Sequence, residues 1–192
     1  MGGVRHGIAD GAANPMPMNN EVAERQYRIN RLMEVGKLDE ARSELDALQE
    51  LEGDSAFVLN KLGVIAVRSG DLEQGKAYFE KALAVDESYV QAYNNLGNIY
   101  REMGDLDRAI ECYQLALKYD GEYATAHHNL GVVYKQKGDI HKSVQHLKQA
   151  NRLQTVMARR ELAQSPLARK KPIAWLLIAV LVGLLLLYRT KT

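Results

Sequence analysis

Residues 97–104 read GNIYREMG, two glycines closing a short polar run as a phosphate loop would. Such a loop also needs a Lys-Ser/Thr pair after it and a strand before it, so that backbone N–H groups and an ammonium converge on phosphate oxygens. Neither is present, so these glycines read as packing and turn residues. Metal chemistry is equally poorly served. His127 and His128 are adjacent and point to different sides of a helix. His141 and His146 are five apart, not the four that set two ligands on one helical face. Cys112 is the single cysteine, which excludes an intramolecular disulfide and a thiolate zinc site; mid-helix beside core positions, it reads as a small buried hydrophobe. No nucleophile–base–acid constellation and no paired carboxylates set in a pocket emerge. The chain is expected to be no enzyme and to need no cofactor. What does recur is asparagine, at Asn60, Asn94, Asn95, Asn98 and Asn129. A primary amide both donates and accepts, so a ladder of them can pair with the backbone of an extended peptide at little cost in sequence preference.

The elements that would position these amides follow from a period. Gly36, Gly70, Gly104 and Gly138 fall 34 residues apart, followed by KLDEA, DLEQG, DLDRA and DIHKS. A fixed period of this size means stacked supersecondary units. Within 90–123, Tyr93, Leu96, Gly97 and Tyr100 lie at i, i+3, i+4 and i+7, one face of a helix. Gly104 ends that helix and Asp105 opens the next. From Leu106, the residues Ala109, Ile110, Tyr113, Ala116 and Leu117 trace the facing side of a second helix. Small Gly97 and Ala109 let the pair approach, and Tyr113 fills the space beyond. Small residues recur at Gly63, Gly97 and Gly131 and at Ala41, Gly75, Ala109 and Ser143, large ones at Leu45, Phe79, Tyr113 and Leu147.

The spacing of Tyr93, Leu96-Gly97, Tyr100, Ala109, Tyr113 and Ala116 resembles the tetratricopeptide repeat (TPR) family. The resemblance covers about 70% of the chain, in units 22–55, 56–89, 90–123 and 124–157. It implies an all-α, right-handed α-solenoid of four helix-turn-helix units over 21–157. The first unit departs from the pattern, with Arg28-Ile29 in place of Leu-Gly and Leu48 in place of Ala, as a terminal capping repeat would. The family's usual proline near the end of the second helix is replaced by Glu87 and Gly121.

In this family the first helices of successive units line a groove that holds a peptide segment of a partner. Here that implies Asn60, Lys61, Asn94, Asn95, His128 and Asn129, with Asn98, Arg101 and Lys135 one turn on. Asn95 and Asn129 resemble the asparagine ladder of the TPR part of the O-linked glycosyltransferases. The alternative is that these amides bond to a neighbouring repeat or to water. The carboxylate clamp of TPR co-chaperones is incomplete: Asn94 replaces its leading Lys, and no full third unit follows Asn129.

Charge and hydropathy divide the chain. Residues 1–151 carry a net −6, which argues against nucleic acid, and residues 152–192 a net +7. Residues 1–20, rich in Gly, Asn and Pro, are expected to be a disordered lead with no secretion signal. Residues 173–188, IAWLLIAVLVGLLLLY, contain no charge and as a helix span ~24 Å, against ~30 Å for a hydrocarbon core. Arg169, Lys170 and Lys171 before the run, and Arg189 and Lys191 after it, can snorkel to the headgroups; Trp175 and Tyr188 stand where interfacial aromatics belong. The alternative is a buried capping helix, but a small array cannot hide a helix apolar on all sides. The expectation is a transmembrane helix over 172–188, a basic juxtamembrane stalk over 158–171 and a short tail over 189–192, which together make a tail anchor. The excess of Lys and Arg before the span puts the repeats in the cytoplasm, at a bacterial inner membrane or an organelle outer membrane. The helix beginning before Asn151 is expected to run on to Gln164. Together these features imply a membrane-tethered TPR adaptor that binds a protein or peptide, with lipid contacts through its tail. A chaperone-like or targeting receptor and a self-assembling structural protein are the alternatives.

Overall fold

The computed structural model describes residues 18–164, with side chains from Glu21 onward. All regular structure among them is helical: α1 (Met18–Glu34), α2 (Leu38–Glu52), α3 (Ala56–Arg68), α4 (Leu72–Val85), α5 (Val90–Glu102), α6 (Leu106–Tyr119), α7 (Ala124–Gln136) and α8 (Ile140–Gln164). The chain forms two compact units that divide within α5, after Asn95.

The 34-residue period sets the turns. Gly36, Gly70, Gly104 and Gly138 all have positive φ, between 79° and 89°, a region that costs a side chain but not glycine. The next aspartate then caps the returning helix: Asp71 accepts from the Gln74 N–H at 2.8 Å, Asp105 from Arg108 at 3.0 Å and Asp139 from Lys142 at 3.0 Å. The first hairpin departs here as well, since Lys37 offers no capping side chain to α2.

In the first unit α1 packs on α2, α2 on α3 and α3 on α4. Its core joins Ile29, Met33, Ala41, Leu45, Leu48, Val58, Leu62 and Ile65. Where the other hairpins use glycine and alanine, this one buries Ile29 and Leu48 completely. In the second unit α6 packs on α7 and α7 on α8. Close approach is obligatory at the expected glycines. A Cβ on Gly63 would lie 2.5 Å from the Phe79 ring, one on Gly97 2.5 Å from the Tyr113 ring, and one on Gly131 2.6 Å from Leu147. Phe79 and Tyr113 are in turn fully buried, so the pairing of a glycine with a large residue 16 positions on is what seats the second, third and fourth hairpins.

One boundary differs from expectation. Met18, Asn19 and Asn20 belong to α1 rather than to a disordered lead. Val22 packs against the core and Glu21 pairs with Arg25 at 3.0 Å, which sustains the first turn. At the other end α8 runs unbroken past 157 to Gln164, as expected, so that residues 158–164 of the expected stalk continue the last repeat's helix. Residues 165–171 of that stalk, the expected span over 172–188, the tail over 189–192, and Arg169, Lys170, Lys171, Trp175, Tyr188, Arg189 and Lys191 lie outside the described residues. Among the described residues no helix is long and apolar enough to cross a membrane.

Candidate functional site

Helices α3, α5 and α7 open the second, third and fourth hairpins, and they carry the asparagines. A helix packed on both sides buries more than a single apolar stripe, so the residue next to its core stripe is drawn inside. Asn60, Asn94 and Asn129 are accordingly buried, at 3%, 4% and 8% exposure. A buried amide must be satisfied, at a cost of about 1–3 kcal/mol if it is not, and among the described residues no buried side-chain polar atom lacks a partner.

The structure brings two pairs of expected residues together. In the first unit the Asn95 amide donates to Asn60 Oδ1 at 2.9 Å, from α5 to α3. In the second, the Asn129 amide donates to Asn98 Oδ1 at 3.2 Å, from α7 to α5. The same Asn98 oxygen accepts from the Tyr113 hydroxyl at 2.8 Å. Burial pushes the Tyr113 phenol up to about 12, so it stays a hydroxyl and a donor. Each amide therefore ties one first helix to the next, and the tyrosine that fills the glycine seat also anchors the amide.

The basic residues are placed differently. Lys61 is half-buried with its ammonium 5.2 Å over the Phe57 ring. Burial, and then the charge of Arg68, hold it below the usual lysine range, with Glu34 acting in the opposite sense. Arg101 is half-buried, while His128 and Lys135 are exposed on α7.

Matches to known protein families follow the same architecture. A tetratricopeptide repeat model matches residues 60–117, a TPR repeat model residues 97–138, and a further tetratricopeptide repeat model residues 124–155. Residues 60–155 belong to the tetratricopeptide repeat family. Two solved structures of MamA are similar to the chain. One is 25% identical, with a TM-score of 0.57 over 73% of this chain and 82% of that one. The other is 26% identical, with a TM-score of 0.55 over 77% and 81%. The PilF protein of Pseudomonas aeruginosa shares the fold, at 20% identity and a TM-score of 0.63, over 71% of this chain and 62% of its own. No curated protein matches the chain in sequence.

The TPR units hold one constellation that spacing along the chain does not reveal. His127 on α7 and His146 on α8 meet with their Nδ1 atoms 3.0 Å apart. Nineteen residues separate them in sequence, and only the register of the α7–α8 hairpin makes them neighbours. The repeat itself carried a signal: His146 stands 34 residues after the buried Cys112, a position that faces inward. Among the described residues no group of three or more His, Cys, Asp or Glu side chains could hold a metal ion. Cys112 is buried as expected, and desolvation raises its thiol to about 11. An open depression at the α5–α6 turn, lined by Gly104, Asp105, Asp107, Arg108 and Lys137, involves none of the expected groove residues.

Proposed function

We propose that this chain is a membrane-tethered TPR adaptor whose first helices hold an extended segment of a partner protein. The observation that carries the reading is the placement of the polar core. Of the four buried polar residues among the described ones, Asn60, Asn94 and Asn129 lie on first helices, and only Ser143 lies on a second helix. The bonds from Asn95 to Asn60 and from Asn129 to Asn98 join neighbouring first helices, so contact with a partner falls to the half-buried Asn95 and Asn98 beside them. These amide-to-amide bonds fix the rotamers of Asn60, Asn95, Asn98 and Asn129 before any partner arrives, which lowers the entropy cost of binding. Within the second unit, exposed Lys135 on α7 and half-buried Arg101 on α5 supply positive charge on the helices that carry Asn129 and Asn98, suited to an acidic or carboxylate-bearing segment.

The tether is argued from sequence. Residues 173–188 form an uncharged apolar run with basic flanks, long enough to span once its lysines and arginines snorkel. Fixing the repeats at a membrane surface raises their effective concentration towards other membrane-bound chains, so weak contacts suffice. The positive-inside bias puts the repeats on the cytoplasmic side.

A photo-crosslinking residue at Lys135 or His128, with Glu80 on α4 as an exposed control, tests the first part. One dominant partner is expected from α7 positions, reduced several-fold by Asn129→Ala with helical content retained. Equal crosslinking from Glu80 would refute the groove assignment, and a broad set of unfolded chains would favour a client carrier. Deleting 172–192 tests the second part. The protein should leave the membrane fraction, and if the shortened chain still pellets with membranes the anchor is elsewhere.

A further inference from the structure

The His127–His146 contact fixes where its protons are. His127 Nε2 lies 3.2 Å from the Gly121 carbonyl oxygen, which can only accept, so that nitrogen carries a hydrogen and donates. His127 Nδ1 is then the unprotonated acceptor of the neutral ring. The hydrogen between the rings therefore belongs to His146, whose Nδ1–H donates across the 3.0 Å gap. The ring centroids are 5.3 Å apart, the N···N distance plus the two centroid-to-nitrogen radii. The donor thus points straight at the acceptor along the line of centres. A chelating pair would instead have both lone pairs converging on a third point off that line.

We propose that His127 and His146 form a proton-sharing latch that closes α7 onto α8 at neutral pH and weakens the last hairpin in mild acid. The first added proton can go only to His146 Nε2, and the hydrogen bond survives it. In the unfolded chain His146 takes that proton below ~6.5, whereas in the fold its burial and neighbouring charge oppose it. Tyr134 from α7 stacks on His146 with centroids 5.5 Å apart, and α8 contributes Lys142, whose ammonium sits 5.1 Å over that same tyrosine ring. From α6 comes the uncharged Gln114 amide, 3.5 Å from the Tyr134 hydroxyl. Burial, then the charges of His127 and Lys142, hold His146 below the usual imidazole range. The sign follows: the latch's stability is fully present above the unfolded value near ~6.5 and is lost as pH falls below it towards the folded value.

A difference of one proton changes the folding equilibrium by ~10-fold per pH unit in that window. The latch stands without the partner-binding reading; its consequence rests on that reading, because α7 also carries Asn129 and Lys135. Acid would then slacken the helix that presents them.

Nitrogen NMR of the histidine rings in the full-length protein in detergent tests the latch directly, with no partner present. Above neutral pH the expected forms are Nε2–H at His127 and Nδ1–H at His146, the tautomer a free imidazole disfavours. Two rings that titrate independently near ~6.5 would overturn the proposal. Urea unfolding between pH 7.5 and 5 gives the second readout. The wild type should lose ~10-fold per pH unit, and the His127→Leu/His146→Leu variant should lose less by that factor. An unchanged slope in the variant would also overturn it, and if the variant does not fold, the NMR measurement on the wild type decides.

Discussion

Gly97→Ala should destabilise the protein even though alanine is the better helix former. The new Cβ would lie 2.5 Å from Tyr113 Cε1, 2.8 Å from Cδ1 and 2.9 Å from Cζ. Carbon contacts are optimal near ~3.5–4.0 Å, so the ring must retreat by ~1 Å. The ring is rigid and fully buried, so it has no open side to move towards. Overpacking of this kind costs about 1–3 kcal/mol. Moving the ring also strains the hydroxyl's 2.8 Å bond to Asn98, a further ~0.5–1.5 kcal/mol. Helix propensity returns ~1 kcal/mol. The net expectation is a loss of about 1–3 kcal/mol, read as a lower urea midpoint by circular dichroism. Tyr113→Ala alone should cost about 3–5 kcal/mol through its cavity. The double variant removes the ring the new methyl strikes, so it should be more stable than the sum of the singles by about 1–3 kcal/mol. Gly104→Ala is the control. Its φ is +81° with nothing within 4 Å of the added Cβ, so its cost of ~1–2 kcal/mol comes from the backbone alone. That cost should add to Tyr113→Ala without interaction. Strict additivity of Gly97→Ala with Tyr113→Ala would refute the glycine-seat argument.

Two further outcomes test local chemistry. Cys112, buried and with its thiol raised to about 11, should resist thiol reagents at pH 8 in the folded protein and react at the rate of a free thiol in urea; rapid labelling of the native chain would contradict its place in the core. Asp105 is held below the usual carboxylate range first by the Arg108 backbone N–H and then by the Arg108 side chain, so its capping stability is present above the unfolded value of ~3.9 and lost as pH falls through the lower folded value. Asp105→Asn keeps a capping acceptor but cannot titrate, so its advantage over Asp105→Ala in thermal melts should persist in acid, where the wild type's fades.

The hairpins were legible because their signal is local and repeated. A glycine that must take positive φ, an aspartate that caps, and a glycine facing Tyr113 or Phe79 are demands a single hairpin makes on its own residues. The family resemblance carried by Leu96-Gly97, Ala109 and Tyr113 therefore led to the right fold. The start of α1 was less legible, because Met18–Asn20 lie in polar, turn-prone sequence and are held by Val22 and the Glu21–Arg25 pair beyond them.

The amides show where such reading stops. Sequence placed Asn95 and Asn129 at equivalent positions of successive repeats, which suggests equivalent roles. Tertiary structure gives them different acceptors, Asn60 on the preceding first helix for one and Asn98 on α5 for the other. Asn98 has no counterpart one period away, where Val64 and Val132 stand, so the identity of the acceptor depends on which rows of side chains the packed helices bring level. His127 and His146 depend on the same thing. Spacing along one helix speaks only for that helix, and the distance between two helices is not a property of either. The sequence by itself determined the hairpins, their turns and their glycine seats, because each rests on contacts within a few turns of chain. Only the packed helices decided which polar side chains meet, because a hydrogen bond of 3 Å requires a register that hydrophobic patterning leaves free.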